Sequence, residues 1–501
     1  MTGRKMNKDG NRLWYSLWFA TVMMITRGAH AASTSEAVSP YWIVLDGGST
    51  GSRLHIFEFA DGKCNRRGSK KAWTPLSSFG STNVNNNSDV AHHLLPLFQY
   101  AAEIIPVQYY NSTVVKYQAT AGMRLLDENV QRQIYHQLYI GLRNDPSFVF
   151  RSLQPSDIGT ISGSQEGFYG AVAANYLQGL IDVHLHLQKP DHPPIGALDM
   201  GGSSTQIVFL PQSDNKNSCS IDENDDSNNS NDNDLICQEM DFPTRMQEQD
   251  FFSVSYLSYG VDQFRERLWD VWIQDEQKRE IKDDDDIIYN PCFFAGYEME
   301  YKGFVLHGTG DAESCQDAIL EQLHLPQGLP KIRGKFFGMS LYFFTLDCLR
   351  ELSGDVDLHL AWPTPSIDEL SQALHTFCGR EWTGDLEEIQ HTAHIHSRAE
   401  ILPHRCFESV YLVTLLRDGY GFHPSSRDIT FSFHVHQSEV EWSMGMALSL
   451  YSTHNTPTND TIDQNDYENA AINNDSNSIA APETPKNSLH TLTATTTSES
   501  L

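Results

Sequence analysis

The chain has 501 residues, and 35 Lys and Arg against 65 Asp and Glu give it a formal charge of −30. That balance excludes a protein whose main task is to grip nucleic acid through a basic face, while leaving room for a local cationic phosphate site. With 40% apolar and 11% aromatic residues, the chain can bury real cores over several domains.

In chain order, the first predicted element is a secretory signal over 1–31. Arg4, Lys5 and Lys8 precede the apolar run Leu13–Ile25, and Ala29-His30-Ala31 supplies a small-x-small cleavage pattern. The run is short for a membrane span, so no stable span is expected once the signal is removed; an uncleaved signal-anchor is the alternative. Eight cysteines without a CxxC pair, and sequons at Asn86, Asn111, Asn228, Asn459 and Asn474, fit the same oxidising route.

Tyr41–Asp46 and Arg53–Phe59 read as strands around a Gly/Ser turn. Asp89–Ile105 reads as a helix stopped by Pro106. Val114–Gln118 is predicted as a strand, Glu128–Arg143 as a helix, Phe148–Arg151 as a short strand and Ser164–Leu180 as a helix. Ala197–Asp199 and Thr205–Leu210 repeat the strand–turn–strand pattern. Helices are predicted over Tyr259–Ile281, Gly338–Leu352, Ile367–Cys378, Glu408–Arg417 and Glu441–Leu450, with a strand at Ile429–His436. Three polar stretches interrupt this: Ser213–Asp234 with Cys219 and Cys237 near its ends, Lys282–Asp286, and a tail from about Thr453. These read as solvated loops and a disordered tail. The alternation argues for an α/β fold with mixed sheets.

Chemistry concentrates in an internal echo. Ile43–Arg53 reads apolar strand, Asp46, Gly-rich turn, hydroxyls, strand; Gly196–Phe209 reads the same way around Asp199. Such turns offer backbone N–H groups and small hydroxyls to a polyphosphate. An Asp at each strand end offers hard oxygen to a divalent cation, commonly through water. Gln118–Leu126 leaves a strand and enters a helix with Thr120 and Gly122, a further anion site. Ile161–Gly170 carries Glu166, a carboxylate suited to act as general base for water.

These four segments, in this order, resemble the motifs of the apyrase family, the nucleoside triphosphate diphosphohydrolases. Trp442-Ser443-Met444-Gly445 resembles a fifth, and the likeness spans about residues 41–451. The first motif is most similar to soluble, plant-type and Golgi-type members. The resemblance implies two actin-like (ribonuclease H-like) lobes with a nucleotide cleft between them. One lobe is expected over 32–180 plus about 430–452, the other over 181–429 with the 213–234 insert, and a tail over 453–501.

It also implies release of terminal phosphate from nucleoside di- and triphosphates by attack of water, with Ca²⁺ or Mg²⁺. Glu166 stands where the family has its base, and Ser204 and Gln206 where it holds the attacking water. Asp46 and Asp199 match the carboxylates that hold the metal through water. Ser49, Thr50, Gly51, Thr120, Gly202 and Ser203 are expected along the phosphate path. Phe343 or Phe344, with Arg417, are expected at the base. Family position suggests the disulfides Cys292–Cys315 and Cys378–Cys406; proximity alone suggests Cys219–Cys237, leaving Cys64 and Cys348 open. Ala171 departs from the family, which usually has Trp there. A nucleotide-binding glycoprotein with little turnover is the alternative class; an intact Glu166 favours the hydrolase, because binding alone needs no base.

Overall fold

The structure, a computed structural model, describes residues 38–80, 87–189, 192–211, 243–278, 287–325 and 329–455. The signal, the 213–234 insert with Cys219 and Cys237, the Lys282–Asp286 run and nearly all of the tail lie outside the described residues.

The apolar run of β1 (Tyr41–Gly48) has no polar alternation because both of its faces are covered. Trp42 and Val44 enter one buried cluster, and Ile43 and Leu45 enter another. β1 pairs antiparallel with β2 (Gly51–Ala60), which pairs antiparallel with β3 (Lys63–Ala72). Helix α1 (Asn87–Ile104) follows and, as expected, stops short of Pro106. β4 (Val114–Ala119) adds parallel to β1, and the short helices and turns after it begin with α2 (Ala121–Arg124) and α3 (Glu128–Asn144). β5 (Ile158–Thr160) completes the sheet in the order β3-β2-β1-β4-β5.

After α4 (Gly163–Leu177), the pattern starts again. β6 (Gly196–Met200) pairs antiparallel with β7 (Ser204–Phe209), and β7 with β8 (Phe252–Leu257). Helix α5 (Val261–Lys278) leads to a small three-stranded sheet of β9 (Ile287–Asn290), β10 (Glu298–Tyr301) and β11 (Phe304–Gly308). Helix α6 (Ala312–Gln322) follows, and then β12 (Phe336–Ser340), which joins β6 in parallel. Helices α7 (Leu341–Leu352), α8 (Ile367–Cys378) and α9 (Arg405–Thr414) pack beside it. β13 (Ile429–Phe431) adds parallel to β12, a two-stranded hairpin of β14 (His434–Val435) and β15 (Ser438–Glu439) follows, and α10 (Trp442–His454) ends the described chain. The second sheet runs β13-β12-β6-β7-β8.

Both sheets therefore have one plan: two antiparallel neighbours on one side of the founding strand, two parallel ones on the other. This is the expected pair of actin-like lobes. Between the sheets lie α4 and α10. Their buried cluster takes Trp42 and Val44 from β1, Val208 from β7, and Phe337 and Met339 from β12. Small residues make the crossing close. A Cβ on Gly445 would lie 1.8 Å from the Tyr169 carbonyl oxygen. Ala171, where the resemblance leads one to expect Trp, is fully buried in this layer. Asn175 ties the layer to the chain entering β6: its amide donates to Ala171 O at 2.8 Å and Ile195 O at 2.9 Å.

Three expected elements differ, one of them being Ile429–His436, which the structure divides into β13 and β14 in separate sheets. Phe148–Arg151 is not a strand: Phe148 and Phe150 are buried, but Arg143 and Arg151 exchange side-chain bonds to each other's carbonyls and hold the segment as a turn. Gly338 lies in strand β12, not in the helix that follows. That strand is buried on both faces and breaks at Ser340, whose φ of 55° starts α7 in a new direction.

Candidate active site

The two echoed turns meet at the head of a cleft of about 610 Å³. On one side the β1–β2 ladder ends at Gly48 opposite Gly51, leaving Ser49-Thr50 as a two-residue tip. On the other, Gly201 N–H donates to Ser204 O at 2.9 Å and closes the β6–β7 turn. The tips nearly touch: a Cβ on Gly202 would lie 3.1 Å from Ser49 Oγ. Only a glycine fits there, because the same Cβ would lie 2.3 Å from Asp262 Oδ2. Ser49, Thr50, Gly51, Thr120, Gly202, Ser203, Ser204, Asp46, Asp199 and Glu166 all line this cleft.

Glu166 is set by the start of α4. Ser162 caps the helix by accepting from Gln165 N–H at 3.1 Å, and Gln165 Oε1 accepts from Ser162 N–H at 3.3 Å. The reciprocal cap places Glu166 in the first turn, buried and facing β7. Arg124 Nη2 donates to Glu166 Oε2 at 2.8 Å and to Ser204 Oγ at 3.2 Å. Gln206 Nε2 donates to the same Oε2 at 3.2 Å and to Ser204 Oγ at 2.8 Å. Oε1 has no partner among the described residues. Burial pushes this carboxyl up to about 7; Arg124 pulls against that rise and Asp199 adds to it.

Asp46 and Asp199 sit at the ends of their strands as expected. Burial raises Asp46 well above the usual carboxylate range, and the charges of Glu166 and Glu441 raise it further. Its Oδ1 is buried with no hydrogen-bond partner. Asp199 is also raised by burial, while Ser340 and the Met200 N–H pull it down. Arg53 is the one charge that pulls Asp46 down, and among the described residues it forms no ion pair with it, so an unpartnered carboxylate oxygen among acidic neighbours fits a divalent cation. Among the described residues no three His, Cys, Asp or Glu side chains close on one point. Two carboxylates acting through water match the way Mg²⁺ keeps most of its hydration shell.

The structure separates the residues expected at the base. Phe344 lines the cleft, its ring 4.8 Å from Phe433 and 5.1 Å from His396. Phe343, its neighbour on α7, is not in the lining; it faces Trp362 and Phe433, each at 6.2 Å. Arg417 is not in the lining either. The turn after α9 directs it to Asp418, 2.9 Å away. Arg265 also lines the cleft; it pairs with Asp262 at 2.8 Å, and Asp262 packs against Gly202, so this arginine stands by the β6–β7 tip.

The profile of the GDA1/CD39 (nucleoside phosphatase) family matches residues 32–465. The chain belongs to the GDA1/CD39 family. It is 27% identical to ectonucleoside triphosphate diphosphohydrolase 1 of Rattus norvegicus over 481 residues, which cover 87% of this chain and 86% of that protein. It is also 27% identical to the Golgi apyrase of Saccharomyces cerevisiae over 468 residues, covering 82% and 70%. The crystal structure of nucleoside triphosphate hydrolases from Neospora caninum shares the fold, with a TM-score of 0.56 at 15% identity over 87% of this chain and 97% of that one.

This GDA1/CD39 enzyme carries both bridges expected by family position, Cys292–Cys315 and Cys378–Cys406. Cys64 and Cys348 are free and buried. Sequence reasoning missed Arg124, which closes the second motif and grips Glu166. Its signal was available: a lone arginine in the first helical turn after a phosphate-type strand end. Arg53, which ends the first motif but was given no role there, also lines the cleft, as do Lys71, Arg265, His404 and Glu441, which no motif marked.

Proposed function

We propose that this phosphohydrolase releases the terminal phosphate of nucleoside di- and triphosphates by in-line attack of water, which Glu166 deprotonates. The observation that carries the reading is the Glu166 arrangement. A carboxyl near 7 is ionised enough at neutral pH to take a proton and basic enough to want it. Arg124 and Gln206 hold Oε2, so Oε1 is free to receive the proton of a water resting on Ser204 and Gln206. The Ser49-Thr50 and Gly202-Ser203 tips, with Thr120, orient the phosphate chain between them. Positioning of this kind supplies much of the rate in phosphoryl transfer. Asp46 and Asp199 are the residues that would hold Ca²⁺ or Mg²⁺ through water; when bound, the cation offsets negative charge on the phosphates. Phe344 offers its face to the base, against Leu341 and Ile401.

The secretory lumen or the exterior is the proposed location. The signal-like N-terminal pattern, the two disulfides and an exposed Asn111 sequon support it. The test is phosphate release from ATP, ADP, GDP and UDP with Ca²⁺, with Mg²⁺ and with EDTA. Release from di- and triphosphates only with cation is expected. Nucleotide binding without turnover in any of these conditions would instead establish the binding-protein alternative.

A further inference from the structure

The β1–β2 ladder places Arg53 directly opposite Asp46. Opposed residues of an antiparallel pair present their side chains to one face, with Cβ atoms about 4.5–5.5 Å apart. An arginine so placed ordinarily pairs with the aspartate. Here no ion pair joins the two among the described residues, and Asp46 Oδ1 stays buried without a partner. Arg53 turns away instead. Its Nη1 donates to Glu441 Oε1 at 2.7 Å and lies 3.8 Å from Glu439 Oε2. The other oxygen of Glu441 lies 2.9 Å from His55 Nδ1 and 3.6 Å from Arg66 Nη1. Arg66 also pairs with Glu439. Glu441 reaches this cluster from the residue before α10 and lines the same cleft as Asp46.

We propose that Glu441 is a positioning residue for cation binding: it holds Arg53 away from Asp46 and so keeps that carboxylate free for a hydrated divalent cation. The inference rests on the reading of Asp46 and Asp199 as the cation's carboxylates. Without Glu441, the nearest carboxylate lacking a partner for the Arg53 guanidinium is Asp46, its opposite number in the ladder. A guanidinium there would occupy the oxygen and cancel the charge that draws the cation. A simple field effect of Glu441 predicts something different, because removing Arg53 would then help the cation equally whether Glu441 is present or not.

Calorimetric titration of Ca²⁺ into nucleotide-free protein separates these cases across wild type, Glu441→Gln, Arg53→Gln, the double variant and Asp46→Asn. Glu441→Gln is expected to weaken Ca²⁺ binding about tenfold, a change of about 1.4 kcal/mol. Arg53→Gln is expected to change wild-type affinity little but to restore it in the Glu441→Gln background, which is coupling between residues in contact. Unchanged affinity in Glu441→Gln, or an equal effect of Arg53→Gln in both backgrounds, overturns the proposal. Wild-type affinity in Asp46→Asn, or no Ca²⁺ binding by wild type, overturns the cation reading beneath it. If Glu441→Gln does not fold by circular dichroism, Glu441→Asp carries the test. It keeps the charge but shortens the reach to Arg53, and a loss reversed by Arg53→Gln is again expected. Wild-type affinity in Glu441→Asp, or a loss that Arg53→Gln leaves in place, overturns the proposal.

Discussion

Arg124 Nη2 bridges Glu166 Oε2 at 2.8 Å and Ser204 Oγ at 3.2 Å, tying an element of the first sheet's connections to a strand of the second. The bridge fixes which oxygen of Glu166 is available and where a water on Ser204 must sit. It also opposes the burial that raises the Glu166 carboxyl.

Glu166→Gln keeps the size and the hydrogen-bonding reach of the side chain but cannot take a proton. Turnover should fall about 10²–10⁴-fold, with nucleotide affinity retained. Steady-state kinetics beside equilibrium nucleotide binding checks this, and near-wild-type kcat in a folded variant would remove Glu166 from the mechanism.

Arg124→Gln should move the acid limb of the pH–rate profile to higher pH. The active form of Glu166 is the ionised one, so activity rises as pH passes upward through its pKa. Arg124 favours that ionised form, and without it the carboxyl titrates higher still. A profile of kcat/KM against pH for both proteins measures the shift; an unmoved limb argues that the limb reports another group.

Asp46→Asn should lose activity together with cation dependence. Chelation with EDTA should silence the wild type, and Ca²⁺ or Mg²⁺ should restore it. Full activity in excess EDTA would contradict the role given to Asp46 and Asp199.

Cys378→Ser opens the Cys378–Cys406 loop, which joins residues 28 apart in sequence. The chain-entropy treatment assigns such a loop about 3–4 kcal/mol. A lower Tm in differential scanning calorimetry is expected, with kcat/KM at low temperature little changed, because neither cysteine lines the cleft.

Base preference should be mild. Phe344 offers a ring face, Leu341 and Ile401 an apolar wall, and Arg265 is already paired with Asp262. Stacking accepts any base. Purine and pyrimidine nucleotides of equal phosphate number should stay within roughly 30-fold in kcat/KM, about 2 kcal/mol. A preference of about 10³ in a substrate panel would show that some side chain reads a base edge.

The founding strands were legible because they combine covered faces with glycine turns. β1 and β6 are apolar without interruption, and each ends in Asp and a Gly-rich tip. β3 was not legible. Lys63–Ala72 carries five Lys and Arg in ten residues, and as an edge strand it has no buried stripe to betray it. β12 was hidden for the opposite reason: a short run buried on both faces and running straight into α7 looks like the helix itself. In the site, Asp46, Glu166 and Asp199 stood out because each lies within a continuous motif. The Glu441–Arg53 pair did not, because its members are 388 residues apart and only the α10 junction brings them together. Arg417 misled because a position in sequence says nothing of which way a helix-ending turn points its side chain.

The α4–α10 crossing sets a dimension of the catalytic centre. Asp46 belongs to one sheet and Asp199 to the other, and this helix pair lies between the two sheets. Glu166 rides on α4 itself, one turn before the Tyr169 carbonyl that Gly445 admits so closely. The spacing of the strands that carry Asp46 and Asp199 is therefore tied to how closely α4 and α10 approach, and a methyl group at residue 445 would act as a shim between the two sheets.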